Sequence, residues 1–281
     1  MPANSPKNIF LTGASSGIGR ATAELLADGG HQVWCTARDQ TRLSVRPGWH
    51  ALGLDLADPA SIEAAWNQAL AEAGRIDVVI QNAGSGICGS IEDVALEDAR
   101  ALWKILVEGP LRLMQLAAAQ MRPRREGLII GVSSLAAELP LAFGAHYSAG
   151  KAALSSLLAG LAMELQPFGV HVVDLRPGDI RTPFNDDLPR AMPDTSPYYP
   201  WVATAWKRSC ELIETAPPPE LVAQAVLRLV EHPNPPLIVR SGSFFQATLG
   251  PLGPRLLPQA WLLDSIRRYF NLHHVDEQQR R

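Results

Sequence analysis

The sequence predicts a doubly wound α/β fold, in which a parallel sheet of about seven strands lies between two layers of helices. Two observations predict it. Short apolar runs alternate with longer segments of helical spacing along most of the chain, and a glycine-rich turn joins the first run to the first helical segment. Repeated strand–helix–strand units connect by right-handed crossovers, which build a parallel sheet covered on both faces.

The strands are predicted where short apolar runs stand between turn residues. In chain order these runs are 8–11, 32–36, 50–54, 78–81, 128–132, 171–175 and 237–239. The helices are predicted where good helix formers recur at helical spacing. These segments are 19–29, 59–73, 99–121, 147–166 and 219–231. A mixed α+β fold is the alternative that this pattern alone leaves open.

We expect residues 1–281 to form one domain, with its core at 8–241. The alternation of strands and helices stops at 183–200, which contains five prolines, and helical spacing resumes after it. A segment that leaves the sheet and returns suits a lid over a site better than a linker between domains. We therefore expect residues 183–214 to form a lid.

Residues 242–281 are predicted to form a C-terminal extension with helical character, and we expect its polar end at 273–281 to fray. Within it, residues 259–272 place apolar side chains against charged ones, which indicates an amphipathic helix. Such a helix packs on its own domain, packs on a second subunit, or makes weak peripheral contact with a membrane surface. The sequence leaves these three alternatives open.

Composition argues against several classes of protein. The 25 basic and 28 acidic residues leave a formal net charge of −3, which gives no electrostatic footprint for nucleic acid. Cys35, Cys88 and Cys210 are far apart and predict neither a metal site nor a disulfide framework. Residues 1–8 lack the build of a signal peptide, and no apolar run is long enough for a membrane span. We expect a cytoplasmic location.

The glycine-rich turn reads Thr12-Gly13-Ala14-Ser15-Ser16-Gly17-Ile18-Gly19, directly after the first predicted strand and before the first predicted helix. Glycines there allow a tight turn and let the backbone approach a pyrophosphate, while the helix N-terminus stabilises negative charge. Turns between strands and helices often use glycine for purely structural reasons. The position at the start of an α/β domain favours a dinucleotide site.

Further short motifs follow this turn in the chain: Asp55-Leu56, Asn82-Ala83-Gly84, Ser134, Tyr147-x3-Lys151 and Pro177-Gly178-x-Ile180-x-Thr182. In order and spacing, from residue 8 to about 240, the chain resembles the short-chain dehydrogenase/reductase family, in its NADP-preferring type with Thr-Gly-x3-Gly-x-Gly and Tyr-x3-Lys motifs. The resemblance implies a Rossmann-type fold, a nicotinamide cofactor and oxidoreductase activity on an alcohol or a carbonyl group.

The resemblance also implies which residues bind the cofactor. They are Thr12, Gly13, Ser15, Ser16, Gly17, Ile18, Gly19, Arg38, Asp55, Leu56, Asn82, Ala83, Gly84, Tyr147, Lys151, Pro177, Gly178, Ile180 and Thr182. By the same resemblance, Asp55 hydrogen-bonds the adenine amine, Asn82 lines the cofactor cleft and Thr182 holds the nicotinamide carboxamide.

The end of the second predicted strand indicates NADP(H) rather than NAD(H). NAD-specific sites place a carboxylate there for the ribose hydroxyl, whereas a 2′-phosphate favours arginine. Ala37 stands where NAD-preferring relatives have aspartate, and Arg38 follows it. A guanidinium makes charge-assisted contacts to a phosphate. We expect Asp39 to point to solvent or to pair locally, and an ordinary solvated arginine is the alternative reading of Arg38.

The resemblance implies that Ser134, Tyr147 and Lys151 are catalytic. Tyr147 and Lys151 are four residues apart and share one face of a predicted helix. We expect the ammonium and the oxidised nicotinamide to lower the tyrosine pKa, so that the phenol exchanges a proton with the substrate oxygen. Lys151 also binds the ribose, and Ser134 hydrogen-bonds the carbonyl oxygen. Ser133 is the competitor, but the thirteen-residue interval to Tyr147 favours Ser134.

One departure from the family concerns a proton-relay asparagine. Leu106 stands in its place, and a leucine side chain cannot hydrogen-bond water. Gly150, where the family often has serine, is a smaller departure. A catalytically weak NADP(H)-binding sensor or scaffold is therefore the alternative to a reductase. A dehydratase or epimerase on the same fold is a third reading, although no extra acid–base pair is evident.

The substrate predicted from the sequence is a bulky apolar ketone, aldehyde or secondary alcohol, resembling a steroid, a retinoid or a lipid. Its basis is an inventory of residues suited to line or cover a wide pocket: Phe143, Pro183, Phe184, Tyr198, Tyr199, Trp201 and Trp206. The family resemblance also suggests a homodimer through the long helices at 99–121 and 147–166.

Overall fold

The computed structural model describes residues 5–44 and 46–279, with side chains described as far as residue 275. Its strands are β1 (Asn8–Thr12), β2 (Gln32–Ala37), β3 (Trp49–Gly53), β4 (Val78–Gln81), β5 (Cys88–Gly89), β6 (Gly127–Val132), β7 (Val170–Pro177), β8 (Arg190–Ala191) and β9 (Ile238–Ser241). Its α-helices are α1 (Gly17–Asp28), α2 (Pro59–Ala73), α3 (Leu96–Trp103), α4 (Gly109–Arg124), α5 (Ala145–Leu165), α6 (Tyr199–Glu214), α7 (Glu220–Glu231), α8 (Gly253–Leu256), α9 (Gln259–Tyr269) and α10 (Leu272–Gln279).

Seven of these strands form one parallel sheet in the order β3-β2-β1-β4-β6-β7-β9. Buried apolar side chains cover both faces, because the strands alternate their side chains between two layers of helices. Helices α1 and α7 lie on one face, and α2, α4 and α5 lie on the other. The predicted doubly wound sheet is confirmed, and the strand order reverses between β1 and β4.

The helix predicted at 99–121 is longer and is interrupted. Helix α3 begins at Leu96, a π-helical turn occupies Lys104–Glu108, and α4 continues to Arg124. Pro110 explains the interruption in part, since it has no N–H to donate to the carbonyl oxygen four residues earlier. That oxygen belongs to Leu106, so the wide turn falls at the family-divergent position.

The C-terminal extension folds against the rest of the chain, and helix α10 runs to Gln279 through most of the segment that was expected to fray, whose last two residues lie outside the described part of the chain. Helix α10 packs on α6, with Leu272 and Val275 buried. This apolar contact orders the end of the chain, because the buried side chains offset the entropy lost on ordering it. Among the described helices, none combines the length and the hydropathy required to cross a bilayer.

Candidate active site

A cleft of about 900 Å³ opens at the carboxyl ends of the strands, beside the reversal of strand order. Ligands of doubly wound sheets bind at this point. With the exception of Thr12, every residue of the sequence-predicted site lines the cleft: Gly13, Ser15, Ser16, Gly17, Ile18, Gly19, Arg38, Asp55, Leu56, Asn82, Ala83, Gly84, Ser134, Tyr147, Lys151, Pro177, Gly178, Ile180 and Thr182.

The turn after β1 is packed so closely that it requires glycine. A Cβ on Gly19 would lie 2.0 Å from the carbonyl oxygen of Gly13, and Gly17 has a φ of +52°. Thr12 lies beneath the turn, where its Oγ1 accepts hydrogen bonds of 3.0 Å from the backbone N–H groups of Asn82 and Ala83. Thr12 therefore fixes the turn to the end of β4 and does not line the cleft.

The first turn of α1 faces the cleft with its backbone donors uncapped. Ser16 occupies the N-cap position, yet its side chain makes no capping hydrogen bond. Uncapped N–H groups and the positive end of the helix dipole suit a phosphate group. The Asn82 side chain donates instead to the carbonyl oxygens of Thr12 and Gly13, at 3.0 and 3.2 Å, and so holds the turn open toward the cleft. These residues fit the pyrophosphate of a dinucleotide.

The far end of the cleft is basic. Arg38 lies on it as an exposed side chain after the buried Ala37, and Arg42 lines the same region. Asp39 accepts hydrogen bonds from the N–H and the hydroxyl of Thr41, at 2.9 and 2.6 Å, and these bonds hold its pKa below the usual range. Sequence reasoning missed Arg42, which reaches the cleft only because Gln40–Arg42 forms a 3₁₀ turn.

Ser134, Tyr147 and Lys151 meet at the centre of the cleft. Tyr147 and Lys151 share a face of α5, and the Lys151 Nζ lies 5.8 Å from the centroid of the Tyr147 ring. The Lys151 ammonium is buried and donates a 2.8 Å hydrogen bond to the carbonyl oxygen of Val132. Ser134 lies at the end of β6 and hydrogen-bonds Tyr147.

Burial is the largest cause of the pKa shifts of Tyr147 and Lys151 at this centre. Burial raises the pKa of Tyr147, the hydrogen bond from Ser134 lowers it, and the nearby Asp179 carboxylate raises it further. Burial lowers the pKa of Lys151 to about 8. A pKa raised above the ordinary value keeps the Tyr147 phenol protonated at neutral pH, as a proton donor requires. The lowering of this pKa by the oxidised nicotinamide stays a prediction.

The two competing serines have different surroundings. The Ser133 hydroxyl is buried and donates to Asp174, which also accepts from Ser155 at 2.6 Å and from Arg176 at 2.7 Å. Ser133 is thus committed to a buried polar network. Ser134 accepts a 3.0 Å hydrogen bond from the Ala136 N–H and remains at the cleft beside Tyr147.

Leu106 and Gly150, the two departures from the family pattern, contact each other. Leu106 is fully buried, and a Cβ on Gly150 would lie 2.7 Å from Leu106 Cδ1 and 3.1 Å from its Cβ. The leucine therefore fills the space that a side chain at position 150 would need. Leu106 and Gly150 therefore pack against each other, and Gly150 directly precedes Lys151 in α5.

Gly150→Ala should therefore destabilise the protein by about 1–3 kcal/mol, through overpacking against Leu106. In the Leu106→Ala background the same change should cost at least about 1 kcal/mol less. Gly160→Ala, in the same helix with nothing within 4 Å of the new Cβ, is the control and should be neutral or stabilising. Urea denaturation measures the unaltered protein, the two single variants, the double variant and the control, and additive effects of the changes at Gly150 and Leu106 would contradict the contact.

Lys151→Met should make the cofactor-free protein more stable at pH 7 by about 1–3 kcal/mol, because it removes a buried ammonium. The folded-state pKa of about 8 lies below the ordinary 10.5. Between these values the unfolded chain binds more protons, so the free energy of unfolding of the unaltered protein rises with pH. The variant should lack that rise. Urea denaturation from pH 7 to 10.5 tests this, with the exposed Lys207→Met as control.

Four of the seven residues that the sequence predicts for the substrate pocket line the cleft. Phe143, Pro183, Phe184 and Trp206 line it, and Phe184 packs edge-on against Tyr147 with ring centroids 5.9 Å apart. Three further aromatic residues do not line it. They are Tyr198, which donates to Glu92, Tyr199, which is exposed, and Trp201, which packs beside the buried Phe270.

The C-terminal extension adds residues that sequence reasoning missed. Gln246 and Tyr269 line the cleft, and both hydrogen-bond Asp179, which follows Pro177-Gly178. Asp179 lies within the motif Pro177-Gly178-x-Ile180-x-Thr182, so its place at the cleft could have been predicted from the sequence. Nothing in the local sequence predicts where the extension folds back, because distant apolar contacts decide its path.

The fold and the cleft together define a class of protein. A phosphate-binding turn at the switch point, a buried lysine, and a proton-bearing tyrosine beside a serine are the parts of a dinucleotide-dependent oxidoreductase. The short chain dehydrogenase family model matches residues 7–193. The chain belongs to the short-chain dehydrogenase/reductase family, whose fold binds a nicotinamide cofactor.

The chain is similar to known proteins over two thirds or more of its length. It is 31% identical over 270 residues to a 3-ketodihydrosphingosine reductase of Bacteroides thetaiotaomicron, covering 94% of this chain and 96% of that one. It is 32% identical over 204 residues to an NADPH-dependent 1-acyldihydroxyacetone phosphate reductase of Schizosaccharomyces pombe, covering 69% of each. A solved short-chain dehydrogenase from Streptomyces avermitilis superposes with a TM-score of 0.77 at 31% identity, covering 98% of each chain.

Proposed function

We propose that this protein is an NADPH-dependent carbonyl reductase that acts on bulky, apolar, lipid-like ketones or aldehydes. The observation that supports it best is the proton-bearing Tyr147 beside Ser134 and Lys151, in a wide cleft whose substrate side is lined by Phe143, Phe184 and other apolar side chains. The similar reductases whose names specify 3-ketodihydrosphingosine and 1-acyldihydroxyacetone phosphate support a lipid-like substrate.

The residues have separate roles in this proposal. When bound, the reduced nicotinamide supplies the hydride for the carbonyl carbon. Ser134 donates a hydrogen bond to the carbonyl oxygen, and Tyr147 gives that oxygen its proton. Lys151 binds the nicotinamide ribose and brings positive charge beside the phenol after proton transfer. Residues 183–214 act as the lid, and the C-terminal extension lines the cleft between residues 245 and 270.

NADPH preference is proposed from Arg38. Its guanidinium lines the cleft beyond β2, and in the described part of the chain no carboxylate forms an ion pair with it. Asp39 is bound to Thr41 and does not take the place of a ribose-binding carboxylate. An unpaired guanidinium at this position suits a 2′-phosphate.

Arg38→Ala should raise KM for NADPH by about 10–100-fold, because a charge-assisted contact to the 2′-phosphate is lost. KM for NADH should change by less than about threefold. The assay is the oxidation of each cofactor with a series of ketones from small to lipid-sized. Arg46→Ala, which removes an arginine paired with Asp28, is the control. Equal effects on both cofactors would contradict the assignment.

The rival function is a cofactor sensor or scaffold, and the buried Leu106 favours it. A sensor binds NADPH tightly without oxidising it in the presence of any ketone in the series. A dehydratase or epimerase turns its substrate over while it recycles the cofactor, so it causes no net NADPH oxidation. Net, ketone-dependent NADPH oxidation supports the reductase over both alternatives.

We also propose an oligomeric state, a membrane contact and a cellular location for the protein. Homodimerisation through α4 and α5 is supported by the exposed Leu111 and Met163, and a purely monomeric mass by light scattering would exclude it. Weak membrane contact is supported by Leu256 and Trp261, two exposed side chains of the extension. A reducing, cytoplasmic location is supported by the three unpaired cysteines.

A further inference from the structure

A chain of ion pairs lies beside the turn that carries Ser134, and its members in order are Asp174, Arg176, Glu138 and Arg240. Arg176 donates to Asp174 Oδ2 at 2.7 Å and to Glu138 Oε1. Arg240 donates to Glu138 Oε1 at 2.5 Å and to Oε2 at 3.2 Å. Asp174 and Arg176 are buried, and none of the four residues lines the cleft. Buried ion pairs add little net stability, because desolvation offsets their attraction, so the consequence of this chain lies in the groups that it holds in place.

The chain of ion pairs holds the Ser134 turn from both sides. Ser134 is the N-cap and Glu138 is the C-cap of the 3₁₀ turn Leu135–Ala137. Ahead of this turn, the Ser133 hydroxyl donates to Asp174 Oδ1. After the turn, the Glu138 carboxylate accepts hydrogen bonds from both arginines. The backbone on either side of Ser134 is therefore fixed by side chains of β7 and β9.

The same arginine is bound to the helix that carries the proposed proton donor and the buried lysine. Tyr147, Lys151 and Ser155 follow one another at intervals of four residues, so they lie along one face of α5. The Ser155 hydroxyl accepts a 2.6 Å hydrogen bond from Arg176 Nη2 and donates one of 2.6 Å to Asp174 Oδ2. Arg176 thus connects α5 to the 3₁₀ turn that precedes it in the chain.

The guanidinium group of Arg176 makes these contacts with three different nitrogen atoms. Nε binds Asp174, Nη1 binds Glu138 and Nη2 binds Ser155. Because the group is planar and its N–H directions are fixed, the three partners are fixed relative to one another. A lysine side chain ends in a single nitrogen atom and cannot keep all three contacts.

We propose that Arg176 is a positioning residue for carbonyl reduction, which sets the distance between the Ser134 hydroxyl and the Tyr147 phenol. This inference rests on the proposed function, in which both groups contact the carbonyl oxygen of the substrate. The turn on one side of the oxygen and the helix on the other are held together behind the cleft by one side chain.

Arg176→Lys keeps the positive charge of the side chain and loses its three-way contact. It should lower kcat for ketone reduction by about 10–100-fold, because the serine moves relative to the phenol. NADPH affinity should change by less than about threefold, since Arg176 lies outside the cleft. Glu138→Gln weakens the network more mildly and should lower kcat by about 3–10-fold. Glu63→Gln, which breaks an ion pair with Arg112 away from the cleft, is the control and should leave kcat unaltered.

A double variant separates positioning from a general loss of structure. In the Ser134→Ala background, Arg176→Lys should change kcat by less than about twofold, because the group that it positions is already absent. An effect as large as in the unaltered protein would show that Arg176 supports the fold alone, and the inference would be wrong. Circular dichroism establishes that each variant is folded, and Glu138→Gln takes the place of Arg176→Lys if the latter is unfolded.

A spectroscopic measurement tests the inference without turnover. The chain has four tyrosines, so the ¹³Cζ resonance of Tyr147 is assigned as the one that Tyr147→Phe lacks. Since Ser134 hydrogen-bonds Tyr147, Ser134→Ala should shift this resonance. Arg176→Lys should shift it in the same direction, with no further shift in the double variant, while Glu63→Gln leaves it in place. If no ketone is reduced but these shifts are seen, the reductase proposal fails and the positioning role stands, whereas a resonance that Arg176→Lys does not move would overturn the inference.

Discussion

Tyr147→Phe is expected to lower kcat for ketone reduction by about 10²–10⁴-fold, because it removes only the phenolic hydroxyl, which is the proposed proton donor. The phenyl ring retains the packing against Phe184. NADPH affinity should therefore change by less than about threefold. Stopped-flow measurement of NADPH fluorescence gives the affinity, and steady-state oxidation gives kcat.

Tyr199→Phe is the matched control, since Tyr199 is exposed and lies outside the cleft. It should leave kcat unaltered. A Tyr147→Phe protein with more than a tenth of the original kcat would place the proton donor elsewhere. His146 precedes Tyr147 directly, so His146→Ala would then be the next variant.

Gly19→Ala is expected to weaken NADPH binding by at least about 100-fold. The new Cβ would lie 2.0 Å from the Gly13 carbonyl oxygen and 2.5 Å from Asn82 Nδ2, so the turn must open and its phosphate-facing N–H groups must move. The Gly13 oxygen is a backbone atom, which cannot rotate away from the new Cβ as a side chain can. Isothermal titration with NADPH measures the loss.

Gly160→Ala provides the comparison for this change, because a Cβ at Gly160 meets nothing within 4 Å. Its NADPH affinity should equal that of the unaltered protein. A Gly19→Ala protein with unchanged affinity would show that the cofactor does not use this turn. Loss of folding is detected separately by circular dichroism, and an unfolded variant is replaced by Gly17→Ala, which tests the same turn through its positive φ.

The local sequence predicted the sheet and most of the site, because both depend on short-range patterns. Apolar runs such as Val78–Gln81 and the helix-face pair Tyr147 and Lys151 are set by spacing alone. The glycine positions were also predictable, since a turn after β1 that approaches a phosphate requires them.

The remaining features depend on contacts between distant segments. The packing of Leu106, within the π-helical turn Lys104–Glu108, against Gly150 of α5 is a contact between distant segments that the local sequence does not predict. The raised pKa of Tyr147 follows from burial, which the Tyr-x3-Lys motif does not encode. The placement of Gln246 beside Asp179 depends on how the extension folds back over the cleft.

Isotope transfer shows whether this cleft transfers a hydride to a carbonyl carbon. The protein is incubated with a lipid-sized ketone and NADPH that carries deuterium at C4 of the nicotinamide, with each labelled diastereomer in turn. If the protein is a reductase, one diastereomer delivers a single deuterium to the carbinol carbon of the product alcohol, as read by mass spectrometry. Tight NADPH binding with no deuterium in any product, or product formation without net cofactor oxidation, would contradict it.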